Sequence, residues 1–582
     1  MTRLRFLVAL SVALAAGAPR THAQIPAADF TILGEGADDD LGWEVAPAGD
    51  VNGDGVADLI VGAPSNDAVA GFAGRAYIFH GPFTGNLRAA DAAAIVSAEA
   101  FGDNLGFSVA AAGDVNGDGT GDVLIGARSN DTRGTQAGRV YVFFGPLSGD
   151  VAATSADAII SGAAFNEIGR SVAPLGDLNG DGYADVVVGS DIAGPGFAGQ
   201  AFVFYGPLAG ERTAASADAI ITGSFANESF GASVASAGDV NGDGRPDLIV
   251  GAPRFPLNGQ GTGRAYLFYG TVQGNISALD ADAILFGERL NDGFGTSAAS
   301  AGDVNADGYA DVIVGADQLF GAGPGKAYVF LGPLNGAVQA AEADAILSGE
   351  SPADLFGASV SGAGDFNGDG FSDVIVGAWD NDAGGGRSGR AYVFHGPVIG
   401  SVSAANADFT ITGRSGDQSG SSVASAGDLD GDGVGDVIVG APQFTEGAAG
   451  YAVVYFGRET VAGLSLRAAP LNPPPVIPAE GGGIRYQLTL TSIGDAPQTV
   501  DFWTTLTGPG PARLFGPVTL TLEPGLGFNR ILTLTLPADA PPGTYVITFR
   551  AGTFPQAGVA DSFSVEKLAT ATTRGRNGER DY

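Results

Sequence analysis

The sequence predicts an all-β protein: a seven-bladed β-propeller of four-stranded blades, closed by its N-terminal strand and followed by an immunoglobulin-like β-sandwich. Three observations predict it. An acidic nonapeptide recurs seven times at near-constant spacing, every period carries four short β-type runs, and one such run is displaced to the opposite end of the chain.

The recurring string is Asp-x-Asn-x-Asp-Gly-x-x-Asp, with Asp for Asn in the last copy. It begins at Asp50, Asp114, Asp177, Asp239, Asp303, Asp365 and Asp428, at intervals of 64, 63, 62, 64, 62 and 63 residues. Self-similarity at a fixed period marks a repeat architecture. Within each period a first strand precedes the acidic loop, as at 231–238, and a second follows it, as at 373–378. A third reads as at 389–394 and a fourth as at 217–223. All are β-branched or aromatic runs bounded by Gly, Pro, Asn or Asp, and no helix-period stretch of useful length intervenes. Four strands per period, seven times over, is what a propeller requires.

The fourth-strand signature appears at 27–34, ahead of the first acidic loop, and recurs near 90–97, 156–162, 217–223, 281–287, 343–349 and 407–413. None follows Tyr451–Phe456, the third strand of the last period. A ring explains the displacement. The N-terminal strand pairs with that third strand and removes two exposed sheet edges, whereas a linear array has no use for the shift.

Bulk composition agrees. Glycine supplies 95 of 582 residues, Asp and Glu outnumber Lys and Arg by 64 to 28, and apolar residues still make up 45% of the chain. That is too apolar for a disordered acidic tail. A net charge of −36 argues against nucleic acid or anionic lipid as partner. Residues 1–23 read as a signal peptide: Arg3 and Arg5, an apolar core over Phe6 to Ala18, and Thr21-His22-Ala23 before Gln24. The apolar run is too short to span a bilayer comfortably, and no later segment is long or apolar enough to span. The expected destination is therefore secreted, cell-surface or periplasmic. The chain has no cysteine, so cross-links must come from elsewhere, and metal is the usual substitute.

The spacing of the acids predicts structural calcium, up to seven ions, one per blade. A hard cation of this size takes six to eight oxygens. Positions one, three, five and nine offer side-chain oxygens and position seven a backbone carbonyl, while glycine at six allows a sharp turn. The first three ligand sets are Asp50, Asn52, Asp54, Val56, Asp58; Asp114, Asn116, Asp118, Thr120, Asp122; and Asp177, Asn179, Asp181, Tyr183, Asp185. The fourth and fifth are Asp239, Asn241, Asp243, Arg245, Asp247 and Asp303, Asn305, Asp307, Tyr309, Asp311. The last two are Asp365, Asn367, Asp369, Phe371, Asp373 and Asp428, Asp430, Asp432, Val434, Asp436. The side-chain indifference at position seven suits a backbone donor. An EF-hand needs a bidentate Glu at position twelve, but that position holds Val61, Ile125, Val188, Val250, Val314, Val376 and Val439. A plain turn needs only one or two of these residues, whereas three carboxylates within nine residues repel unless neutralised. Magnesium, which prefers fewer protein ligands, fits less well. At a Kd of about 10⁻⁴ M in about 1 mM calcium, each site adds roughly 1.4 kcal/mol, and seven add about 10, the scale of a whole fold's stability.

On these residues the repeat resembles the FG-GAP repeat of integrin α subunits and related bacterial proteins. Phe-Gly stands at Phe230-Gly231, Phe294-Gly295 and Phe356-Gly357, softened to Leu41-Gly42, Leu105-Gly106, Ile168-Gly169 and Ser419-Gly420. Gly-Ala-Pro stands at 62–64, 251–253 and 440–442. The resemblance covers about 27–457 and implies calcium loops on one face and partner contacts mainly on the other. That second face would carry the connections at 35–41, 65–73, 100–104, 128–137, 190–198, 253–262, 317–324, 379–388 and 442–449. No ligand-binding domain is inserted between blades and no membrane span follows, so the resemblance bears on fold more than on adhesion.

Residues 24–457 are thus assigned to the propeller and 458–483 to a Pro/Gly-rich linker with a first sandwich strand. Residues 484–567 go to the sandwich, on the period-2 runs 484–490, 499–506, 518–522, 531–536, 545–549 and 562–565, and 568–582 to a disordered tail.

An enzyme is not expected. Of the histidines, His80 and His395 lie beyond the leader, where sister blades hold Phe144, Tyr205, Tyr269, Leu331 and Phe456, which reads as packing. No nucleophile elbow, zinc pattern or phosphate loop stands out. The expected function is a binding or adhesion module whose partner is a protein or glycan on the variable-loop face. The alternatives are a structural surface-display protein, or a propeller-hosted polysaccharide lyase or phospholipase-like hydrolase.

Overall fold

A computed structural model describes residues 28–83, 85–254, 262–318, 323–443 and 448–457, together with the strand backbone of eight segments between 464 and 567. The expected signal peptide and tail lie outside these residues, as do parts of the connections at 253–262, 317–324 and 442–449.

Seven antiparallel sheets form the ring. Blade 1 runs from inner strand Val45–Gly49 through Asp58–Ala63 and Arg75–Phe79 to outer strand Ala94–Ser97. Blade 4 repeats it with Ser233–Gly238, Asp247–Ala252, Arg264–Phe268 and Ala283–Phe286. The second strand is buried at every position in all seven blades, with three consecutive Val, Ile or Leu residues at its centre between a hydrogen-bonded Asp and a small Gly-Ala or Gly-Ser. Apolar clusters form between neighbouring blades; Ile60 and Ile78 of blade 1 pack with Val123 and Tyr141 of blade 2.

The closure follows the displaced strand. Phe30–Leu33 pairs antiparallel with Tyr451–Tyr455, Phe30 opposite Val454 and Leu33 opposite Tyr451, completing blade 7 with the chain's first strand. Phe30 is buried between the rings of Phe83 at 5.0 Å and Phe456 at 5.8 Å.

Each blade differs from the expected four strands in one respect. The connection from third to outer strand first lays a short parallel strand on the outer edge of the preceding blade, as Gly149–Ala152 does on Ala94–Ser97. A single 3-10 turn such as Ala153–Ser155 then returns the chain to its own blade. Blade 6 is the exception, with Phe409–Thr412 at its edge. Blade 7 takes its outer strand from the N-terminal side, so no such connection leaves it to cover blade 6.

Blades meet closely at paired glycines. A Cβ on Gly62 would stand 2.0 Å from the carbonyl oxygen of Gly106, one on Gly251 2.1 Å from that of Gly295, and one on Gly440 2.0 Å from that of Gly42. The first glycine of each pair belongs to Gly-Ala-Pro or its variant, the second to Phe-Gly or its variant at φ of 82° to 90°. Close backbone approach and left-handed φ both exclude a side chain.

Beyond the ring, Leu464–Pro470, Gly482–Ser492 and Gly527–Leu536 form one sheet. Val476–Ile477, Val559–Lys567, Gly543–Gly552, Gln498–Thr507 and Arg513–Leu522 form a second.

Candidate metal centre and the opposite face

The inner strand of each blade runs into an acidic loop, and the second strand leaves it, so all seven loops lie on one face. Position one organises each loop. Asp50 Oδ1 accepts the N–H groups of Gly53 (2.8 Å) and Asp54 (3.0 Å), and its Oδ2 that of Gly55 (2.8 Å). Asn52 Oδ1 accepts from Asp54 N–H at 2.9 Å, and Asp54 Oδ1 accepts from Val56 N–H at 2.9 Å. The pattern recurs at Asp177, Asp239 and Asp428. Such turns are the habit of Asp and Asn side chains, here stacked three deep. In the last loop Asp428, Asp430 and Asp432 bring carboxylate oxygens within 4.8 Å of one another.

Position nine is the buried anchor. Asp58 Oδ2 accepts from Val51 N–H at 2.8 Å, and its Oδ1 from Gly81 N–H at 2.9 Å, tying the loop to the end of the third strand. Asp122, Asp185, Asp247, Asp311, Asp373 and Asp436 make the same two bonds. Burial pushes these carboxyls up despite the amides, to about 6 at Asp122, Asp185, Asp247 and Asp311, about 7 at Asp436 and about 8 at Asp373. Neighbouring loop carboxylates add to the rise, as Asp118 and Asp114 do at Asp122.

The loops also join the blades. The carbonyl of Asp50 accepts from Gly121 N–H of blade 2 at 2.8 Å, and the contact recurs from Asp114 to Ala184, Asp239 to Ala310, Asp303 to Ser372 and Asp365 to Gly435. Pro246 in blade 4 has no N–H to give Asp177, and Arg245 Nη1 reaches the carbonyl of Asn179 instead, at 3.4 Å.

The donor set of the last loop suits a hard cation: there positions one, three and five converge, and a carboxylate oxygen holding one or two amides keeps acceptor capacity for a metal. Bound calcium would supply charge neutralisation at these loops and no chemistry of its own.

The opposite face has a second recurring cluster, which the sequence reading missed. Arg75 pairs with Glu35 (3.0 Å), Arg139 with Glu99 (2.7 Å), Lys326 with Glu288 (2.8 Å) and Arg390 with Glu350 (2.9 Å). Tyr141 Oη donates to Glu99 at 2.7 Å. These clamps pin the connection after the outer strand of one blade onto the third strand of the next. A signal existed: Glu35, Glu99, Glu288 and Glu350 each stand 15 residues ahead of Asp50, Asp114, Asp303 and Asp365. His395, on the acidic-loop face, lies tilted toward Phe366 with ring centroids 6.4 Å apart, and burial holds its pKa down.

A closed ring of seven blades, each with an Asx-rich loop and a paired interblade glycine, defines a repeat propeller. The FG-GAP repeat model matches residues 41–79, 105–143, 168–204, 230–268, 294–330, 356–394 and 419–455. The chain is an FG-GAP repeat protein with an integrin-α-like β-propeller. It is 33% identical over 222 residues to integrin alpha-5 of Xenopus laevis, covering 36% of this chain and 20% of that one. It is 38% identical over 154 residues to integrin alpha-IIb of Mus musculus, covering 25% and 15%. Against integrin alpha-PS2 of Drosophila melanogaster the identity is 32% over 216 residues, covering 36% and 15%. The matched regions thus span a fifth or less of these relatives' length. Among the described residues no helix is long and apolar enough to cross a membrane.

Proposed function

We propose that this is an exported binding module: calcium in the seven acidic loops stiffens one face, and the other face docks a protein partner. The observation that carries the docking is an arc of exposed phenylalanines. Phe72, Phe101, Phe165 and Phe197 are 57–73% exposed and Phe225 37%, all in connections of blades 1 to 4 on the face away from the acidic loops. Aromatic side chains in water are costly and are the residues that interface cores favour. The integrin α relatives bind protein ligands, which supports a protein over a glycan and an outer or cell-surface location over an internal one. A purely structural display role would leave the arc without purpose, and no catalytic constellation accompanies it among the described residues.

The test uses the full chain, calcium-loaded, on arrays of exported proteins and of glycans. Retention of a protein that falls at least tenfold in the double variant Phe72→Ser, Phe101→Ser, with melting unchanged, is expected. Retention of nothing, or retention indifferent to these substitutions, would overturn the docking assignment. Calcium is tested separately by chelation: a melting temperature that is the same with and without calcium would overturn it.

A further inference from the structure

We propose that the inner rim of this docking face, across blades 1 to 3, receives an acidic side chain of the partner protein between Arg128 and Arg170. The inference rests on the docking reading above. The residue after each Phe-Gly or its variant stands at or just ahead of the N-terminal end of the inner strand, at the face away from the acidic loops. It is Trp43, Phe107 and Arg170 in blades 1 to 3, and Ala232, Thr296, Ala358 and Ser421 in the rest. Arg128 follows the second strand of blade 2, where other blades hold Pro64, Asp191, Pro253, Asp317, Trp379 and Pro442. The cluster therefore has no counterpart around the ring, and the repeat does not need it.

Its geometry leaves donors to spare. The Arg128 guanidinium lies 4.0 Å over the Phe107 ring, which in turn sits 5.3 Å from Trp43. Arg170 Nε stands 3.5 Å from Asp191 Oδ1, beyond good hydrogen-bond length. Nε of both arginines is buried without an acceptor. Asp191 and Glu167 are the acids facing the pair. Asp191 is buried against Arg170, and Glu167 acts on Arg128 only at longer range. Burial and then the charge of Arg170 lower the Arg128 pKa, as expected of two guanidiniums sharing too little counter-charge. In a chain with 64 acidic and 28 basic residues, two cations that feel each other's charge and are short of acceptors stand out. A carboxylate accepting from both would be held by charge-assisted bonds, with Arg128 fixed by its ring contacts. The surrounding phenylalanines would contact the rest of the partner, which favours a protein carboxylate over a free anion.

The experiment uses the calcium-loaded full chain and acetylated dodecapeptides in matched pairs, one member carrying Asp or Glu where the other carries Asn or Gln. Acidic members should bind at least tenfold more tightly. Arg128→Gln and Arg170→Gln should each remove that preference while leaving the amide peptides and the melting temperature unchanged, and Arg128→Lys should keep part of it. Arg133→Gln, an exposed loop arginine paired with Glu211, should change nothing. In a Trp379→Phe, Trp503→Phe background, acidic peptides should shift Trp43 fluorescence. An acid preference that survives both Gln variants, or no preference in any pair, overturns the inference. Equal binding of both members, lost in the Phe72→Ser, Phe101→Ser variant, overturns the acid site while leaving the docking face standing.

Discussion

Glu44 shows how one residue can break a repeat. Its position holds Ser108, Ser171, Ser233, Ser297, Ser359 and Ser422 in the other blades. Several of these hydroxyls accept the N–H one residue further along the next blade's inner strand, as Ser422 Oγ does from Val45 at 3.1 Å and Ser171 Oγ from Val234 at 3.1 Å. Burial raises the Glu44 carboxyl to about 8, only partly offset by its bond to Ser422. Its folded pKa exceeds its unfolded one, so the stability it contributes is full below about pH 4.5 and is lost as pH climbs through about 8. Glu44→Gln should therefore raise the melting temperature at pH 9 and leave it nearly unchanged at pH 4, which a pH series of thermal melts will read. The ninth-position acids carry the same sign. Without metal they favour the protonated fold, so calcium should add more to the melting temperature at pH 8 than at pH 5. Calorimetry at pH 6 in buffers of different ionisation enthalpy should show proton release on calcium binding, fading toward pH 9. Asp243→Ala removes one of many loop carboxylates and should cost about 1 kcal/mol in calcium, the scale of a single weak site.

At the scale of the element, the acidic loop is both a candidate ion cage and an interblade joint, and only the first role was legible. The spacing of Asp50, Asn52, Asp54 and Asp58 speaks of oxygens converging. Nothing in it says that Asp58 bonds Gly81 or that the Asp50 carbonyl takes the Gly121 amide, because those partners, 23 and 71 residues away, give only backbone amides, which nearly any residue type supplies. The short fifth strand went unseen for a similar reason. Segments such as Gly149–Ala152 and Gly210–Thr213 are largely exposed, so they carry no apolar alternation to read. The Phe-Gly and Gly-Ala-Pro glycines were recognised as a motif, and the structure supplies their cause in the 2.0–2.3 Å that a Cβ would meet across the blade boundary. Gly295→Ala should accordingly cost about 1–3 kcal/mol by overpacking against the Arg264 carbonyl, with Gly274→Ala, where a Cβ meets nothing, as an exposed control for the cost of positive φ alone. Chemical denaturation of both variants will separate the two terms.

For the whole molecule, the ring was legible because the displaced strand at 27–34 had only one use. Phe30–Leu33 sits where that argument places it. The proposed docking face corresponds in outline to the variable connections read from sequence, but its content was not legible, since exposed phenylalanines and stray arginines follow no period. If closure is set by pairing and not by chain order, moving residues 28–34 to follow Gly457 through a short linker should give the same ring. Matching far-UV circular dichroism and a melting temperature within about 5 °C would confirm it. The seam also has a mechanical side. Phe30 lies opposite Val454, and the amide of Phe456 bonds Asp29 at 2.9 Å, so the chain enters and leaves at the same end of an antiparallel pair. Tension applied between residues 28 and 457 would peel those rungs singly, like a zip, instead of straining them together. A tethered molecule in an optical trap should yield there first and at low force, with six blades still intact behind the opened clasp.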